Sequence, residues 1–94
     1  MPLALYYMGL IQKGKNNLEG AAEFLRRYLK WAYGQGRPTA VEADVHLTLA
    51  EVYKGLGFPA LADEQKKAGE EIRRKLEEIA GSQERILLEG SAKP

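Results

Sequence analysis

Apolar residues recur along this chain at helical spacing, in four stretches separated by Gly, Pro and Asn. In the first, Leu3, Leu5, Tyr6, Tyr7, Met8, Leu10 and Ile11 fall almost all round a helix predicted over 3–13. A helix of that kind needs cover on more than one side. In the second, Leu18, Ala21, Ala22, Leu25, Tyr28, Leu29 and Ala32 keep to one stripe and predict a helix from about Leu18 to Tyr33. The third carries two apolar faces. Val41, Val45, Thr48 and Val52 lie on one side with Leu49 and Tyr53 beside them, while Ala43, Leu47 and Ala50 make a smaller face. Two such faces fit a helix that touches both its own hairpin and the next. The fourth is predicted from near Pro59 to Ala80, with Leu61, Gln65, Ala68, Ile72, Leu76 and Ile79 as its stripe.

The boundaries have physical causes. Gly14-Lys15-Asn16-Asn17 reads as a turn, with Asn17 able to cap the second helix. The stretch 34–38, Gly-Gln-Gly-Arg-Pro, is the strongest interior punctuation, and it is short enough to join elements rather than domains. Thr39 followed by Glu42 is a capping-box pattern. Gly55 and Gly57 break the third helix, and Pro59 suits the first turn of the next. Leu47 to Ala62 is therefore a helix end, a tight turn and an antiparallel helix, with Ala50, Ala60 and Ala62 allowing close approach. Gly81 and Ser82 are expected to stop the fourth helix. Beyond them Ser82 would cap a short helix holding Ile86, Leu87 and Leu88, or the triplet would dock as a loose tail. Gly90 to Pro94 is expected to be disordered.

The spacing Leu49-Ala50-x-x-Tyr53-x-x-x-Gly57-x-x-x-x-Ala62 resembles the tetratricopeptide repeat, a helix–turn–helix unit. An earlier stretch is similar, with Met8-Gly9 in the Leu-small slot and Ala21 to Leu29 as second helix. Gln12 stands where the family prefers Tyr, Asn16 where it prefers Gly, and Lys66 where it prefers a large aromatic. Gly9 and Ala50 are 41 residues apart (50 − 9), against a usual repeat of ~34. The longer-helix variants of the family, such as those of kinesin light chains, are similar in this. The resemblance implies an all-α fold of helical hairpin repeats, one over about 3–36 and one over about 39–80, with a tail over 81–94.

It also implies a function in protein–protein interaction, as an adaptor without catalysis. In this family a partner lies in a groove lined by the first helix of each repeat. By position that places Tyr6, Leu10 and Lys13 in the first copy, and Leu47, Glu51 and Lys54 in the second, at the groove. Family members that clamp a C-terminal carboxylate carry Lys, Asn and Arg there. Tyr, Leu and Glu suit a helix or an extended apolar segment instead. Phe24 and Trp31, seven apart on the flank of the second helix, either pack on a neighbouring element or anchor a partner.

Composition narrows the classes. With 94 residues the chain is one domain at most, with a modest core. A net charge of +1 argues against nucleic acid, which selects a clearly basic face. Arg26, Arg27, Lys30 and Lys54 read as solubilising charge rather than as a nucleic-acid or membrane-surface site. Without Cys there is no disulfide and no thiolate metal site. The apolar start is too short to span a bilayer and lacks the basic residues that open a signal peptide. The compartment stays open, with the cytoplasm favoured. His46, the single His, reads as a packed or surface residue, and Gly55-Leu56-Gly57 is a turn rather than a phosphate loop. Neither a cofactor nor a metal is expected. Two hairpins are fewer than the three or so that usually make a stable solenoid. The uncovered first helix and distal fourth helix therefore predict a homo-oligomer or a place in a longer array.

Overall fold

Three of the four helices start where a capping side chain or a proline answers the missing backbone partners. The computed structural model describes the backbone of residues 2–92 and the side chains of residues 2–82. It contains α1 (Leu3–Gly14), α2 (Leu18–Tyr33), α3 (Ala40–Leu56) and α4 (Pro59–Ala92), and no strand among the described residues. The Asn17 side chain accepts from the Gly20 amide at 3.2 Å and so caps α2. Thr39 accepts from the Glu42 amide at 3.1 Å and caps α3. Pro59 opens α4, where its missing N–H leaves nothing unpaired.

The turns α1–α2 and α3–α4 are built alike. In the first, the Asn16 amide donates to the Lys13 carbonyl at 3.0 Å and that of Asn17 to Gln12 at 2.8 Å. In the second, Gly57 donates to Lys54 at 3.1 Å and Phe58 to Tyr53 at 2.9 Å. This is the Schellman arrangement, which needs one left-handed residue. Asn16 and Gly57 supply it, with φ of 63° and 87°. Donors, acceptors and left-handed residues of the second turn all lie 41 positions after those of the first. Leu18 and Pro59, the first residues of α2 and α4, keep the same interval. Asn is the residue that best tolerates the left-handed region after Gly, which is why this sequence departure leaves the turn intact.

Packing runs between consecutive helices, α1 on α2, α2 on α3 and α3 on α4. The core lies along α2, where Ala21, Ala22, Leu25, Tyr28, Leu29 and Ala32 meet Val45, Leu49 and Val52 of α3. At Gly9 a β-carbon would fall 2.7 Å from Leu25 Cδ2, so the Leu25 side chain of α2 seats directly on the backbone of α1. The second, smaller face of α3 meets α4. Ala43, Ala50 and Ala62 are buried there, and Gly69 lies against Leu47 and the Ala43 carbonyl. Outside the apolar seam, Arg73 donates to Asp44 at 2.8 Å and Lys13 pairs with Glu51.

Two expectations are corrected. The fourth helix does not stop at Gly81 and Ser82 but continues to Ala92, so no separately capped terminal helix forms. An isolated Gly costs a helix only about 1 kcal/mol relative to Ala. Gly81 takes no positive φ, and Gln83 to Glu89 are mostly good helix formers. The side chains of Ile86, Leu87 and Leu88 lie outside the described residues, as do Lys93 and Pro94 of the expected disordered end. Next, of the expected stripe Gln65, Ala68, Ile72 and Leu76 are half-buried, Leu61 and Ile79 are exposed, and the most buried positions of α4 are Ala62 and Gly69. These two small residues lie where α3 comes closest.

α4 has 34 residues against 17 in α3, so roughly half of its length of about 51 Å projects past its partner. The molecule measures 59 × 27 × 23 Å and its radius of gyration is 16.5 Å, against about 12 Å for a compact domain of this size.

Candidate partner-binding groove

Residues one and two turns apart on a helix share a face. Tyr6, Leu10 and Lys13 form such a row on α1, and Leu47, Glu51 and Lys54 form another on α3. The ion pair of Lys13 with Glu51 brings the two rows together, because it can form only if both face the same side. Two of the six expected groove positions thus engage each other. Glu51 keeps most of its side chain in solvent and Lys13 about a third. Tyr6 and Leu10 are half-buried; Tyr6 packs on the core, its ring centroid 6.4 Å from that of Tyr28.

A groove of about 470 Å³ opens along the α3–α4 seam. Leu47, Ala50, Glu51 and Lys54 form its α3 wall, and Pro59, Ala62, Asp63 and Lys66 its α4 wall. The three groove residues expected from the second copy all line it. Its floor is apolar and shallow because Ala50 and Ala62 end at the β-carbon. Its rim alternates two carboxylates with two ammonium groups. No net charge selects one sign of ligand, so recognition there rests on apolar contact with paired polar edges. Asp63 and Lys66 are groove residues outside the stripe expected for the fourth helix. Their signal is present but weak, since both flank the Ala62 that packs against α3.

Phe24 and Trp31 sit elsewhere. Trp31 is half-buried on the edge of the core, its ring centroid 5.7 Å from that of Tyr28 and tilted by 57°. That is packing geometry for an aromatic pair. Phe24 lies half-buried under the Arg27 guanidinium, 5.8 Å from ring centroid to Cζ, and Arg27 also pairs with Glu23 at 2.7 Å. Neither ring reaches the groove.

His46 is buried in the α3–α4 seam, with Nδ1 2.7 Å from Gln65 Oε1. With the Gln65 oxygen as acceptor, Nδ1 is the donor of this contact. The pKa of Tyr28 is displaced upward. Burial pushes its phenol above 10.0, the neighbouring Thr39 side chain draws it down, and the charge of Glu42 raises it further. Its hydroxyl has no partner in hydrogen-bond geometry. Among the described residues no group of His and carboxylate side chains is placed to hold a metal ion, and no helix is long and apolar enough to cross a membrane.

No family model, curated protein or solved structure matches this chain.

Proposed function

We propose that this chain is a protein–protein interaction module of tetratricopeptide type that holds a segment of a partner protein against the α3–α4 groove. The observation that carries the reading is the 41-residue correspondence of the two hairpin turns, with the groove residues of one hairpin beside the equivalent row of the other. A scaffold of this kind presents a fixed row of side chains and contributes no reacting group. The apolar floor and mixed-charge rim suit a short helix or extended segment with a few apolar side chains flanked by both charge signs. The test is selection of peptides from a displayed library on the wild-type chain, followed by measurement against the variant Lys54→Glu/Lys66→Glu. Both lysines are exposed and neither is in an ion pair among the described residues, so the variant keeps the fold. Selected peptides should lose at least about tenfold in affinity for it. Peptides that bind both proteins equally would remove the groove from the proposal.

A further inference from the structure

α1 carries an exposed apolar face that no other described residue covers. Tyr7, Met8 and Ile11 are 55%, 42% and 54% exposed, and Ala4 lies one turn before them. Single exposed apolar residues are ordinary, whereas a contiguous set on one face marks an interface. The 41-residue correspondence says what kind. Ala4, Met8 and Ile11 are the counterparts of Val45, Leu49 and Val52 on α3, all three fully buried under α2. Among the described residues, the same register of the same helix type is thus covered on α3 by α2 and left exposed on α1.

Among the described side chains a second copy has no free helix of that type to offer. Its α2 is already held between α1 and α3. The counterpart of α2 is α4, where Leu18, Ala22, Leu29 and Ala32 are matched by Pro59, Asp63, Glu70 and Arg73, all exposed. One end of the structure is therefore polar, as at the closed end of a repeat array, and the other is apolar and open. We infer that the outer face of α1 binds an amphipathic helix from another polypeptide, one that carries small and aliphatic residues at the spacing of Leu18, Ala22, Leu29 and Ala32. The inference stands on the correspondence between the hairpins and the exposure of α1. It does not depend on what the α3–α4 groove binds.

The probe is a labelled peptide of residues 17–34, the helix that covers the equivalent face on α3. Titrated against the full chain and followed by fluorescence anisotropy, it should bind saturably at one site. Ile11→Asp and Met8→Asp alter exposed positions, so both variants should keep the wild-type helical signal while losing at least about tenfold in affinity. A peptide carrying Leu29→Asp should bind as weakly to the wild type. No saturable binding, or equal binding to the α1 variants, would overturn the inference. So would a wild-type dimer in light scattering that Ile11→Asp converts to monomer, since the face would then belong to a second copy.

Discussion

A β-carbon placed on Gly69 would lie 2.9 Å from Leu47 Cγ and 3.0 Å from the Ala43 carbonyl oxygen. The second of these neighbours is backbone and cannot swing aside. Gly69→Ala should therefore lower stability by about 1 kcal/mol or more, because the strain of overpacking exceeds the helix propensity gained. Gly81 has open space at the same place, so Gly81→Ala should raise helicity and stabilise α4 locally by up to about 1 kcal/mol. Circular dichroism during urea unfolding reads both. The same sign for the two would contradict the seam described for α3 and α4.

The two left-handed turn residues should respond alike. Gly57→Ala and Asn16→Ala each force a side chain without local hydrogen-bonding capacity into the left-handed region, at a cost of about 1 kcal/mol. Asn16→Gly should be neutral or stabilising. Thermal midpoints of the three variants check whether the turns are equivalent.

Tyr28 gives the fold a pH signature. Its folded pKa lies above the unfolded value of 10.0. The stability linked to the neutral phenol is complete below pH 10.0 and is lost as the pH rises from there through the folded value. Tyr28→Phe removes both this loss and a buried hydroxyl without a partner. At pH 7 the variant should be as stable as the wild type, or more stable by up to about 1 kcal/mol. Urea midpoints should then diverge further in its favour at alkaline pH.

Trp31 stacks on the core through Tyr28, so Trp31→Ala should cost about 2 kcal/mol of stability, less than for a fully buried ring. Phe24, held mainly by Arg27 at the surface, should cost less. Calorimetry on the two alanine variants gives the order.

Much of this architecture was legible in the residues themselves. The stripe from Leu18 to Ala32 has one period and one face, and Asn17 and Thr39 are unambiguous caps, so α2 and the start of α3 follow from local chemistry. The two faces of α3 were equally plain, because Val and Leu positions separate from Ala positions at helical spacing. What local pattern hides is distance between helices. Leu61 and Ala62 are both apolar, and only the close approach of α3 decides that the smaller is buried. Gly69, set among charges, carries no apolar signal although the seam depends on its missing side chain. Arg73 has acidic neighbours along its own helix, yet Asp44 across the pair takes it. In the groove, Leu47, Glu51 and Lys54 followed from their position in the hairpin, whereas Asp63 and Lys66 depend on how α4 rolls against α3.

The groove itself is tested most directly by nuclear magnetic resonance. A selected peptide titrated into the isotope-labelled chain should shift the amide signals of Leu47, Ala50, Glu51, Lys54, Ala62 and Lys66 together, leaving those around Trp31 unmoved. Shifts centred on Phe24 and Trp31, or spread over the charged face of α4 with the groove silent, would contradict the account.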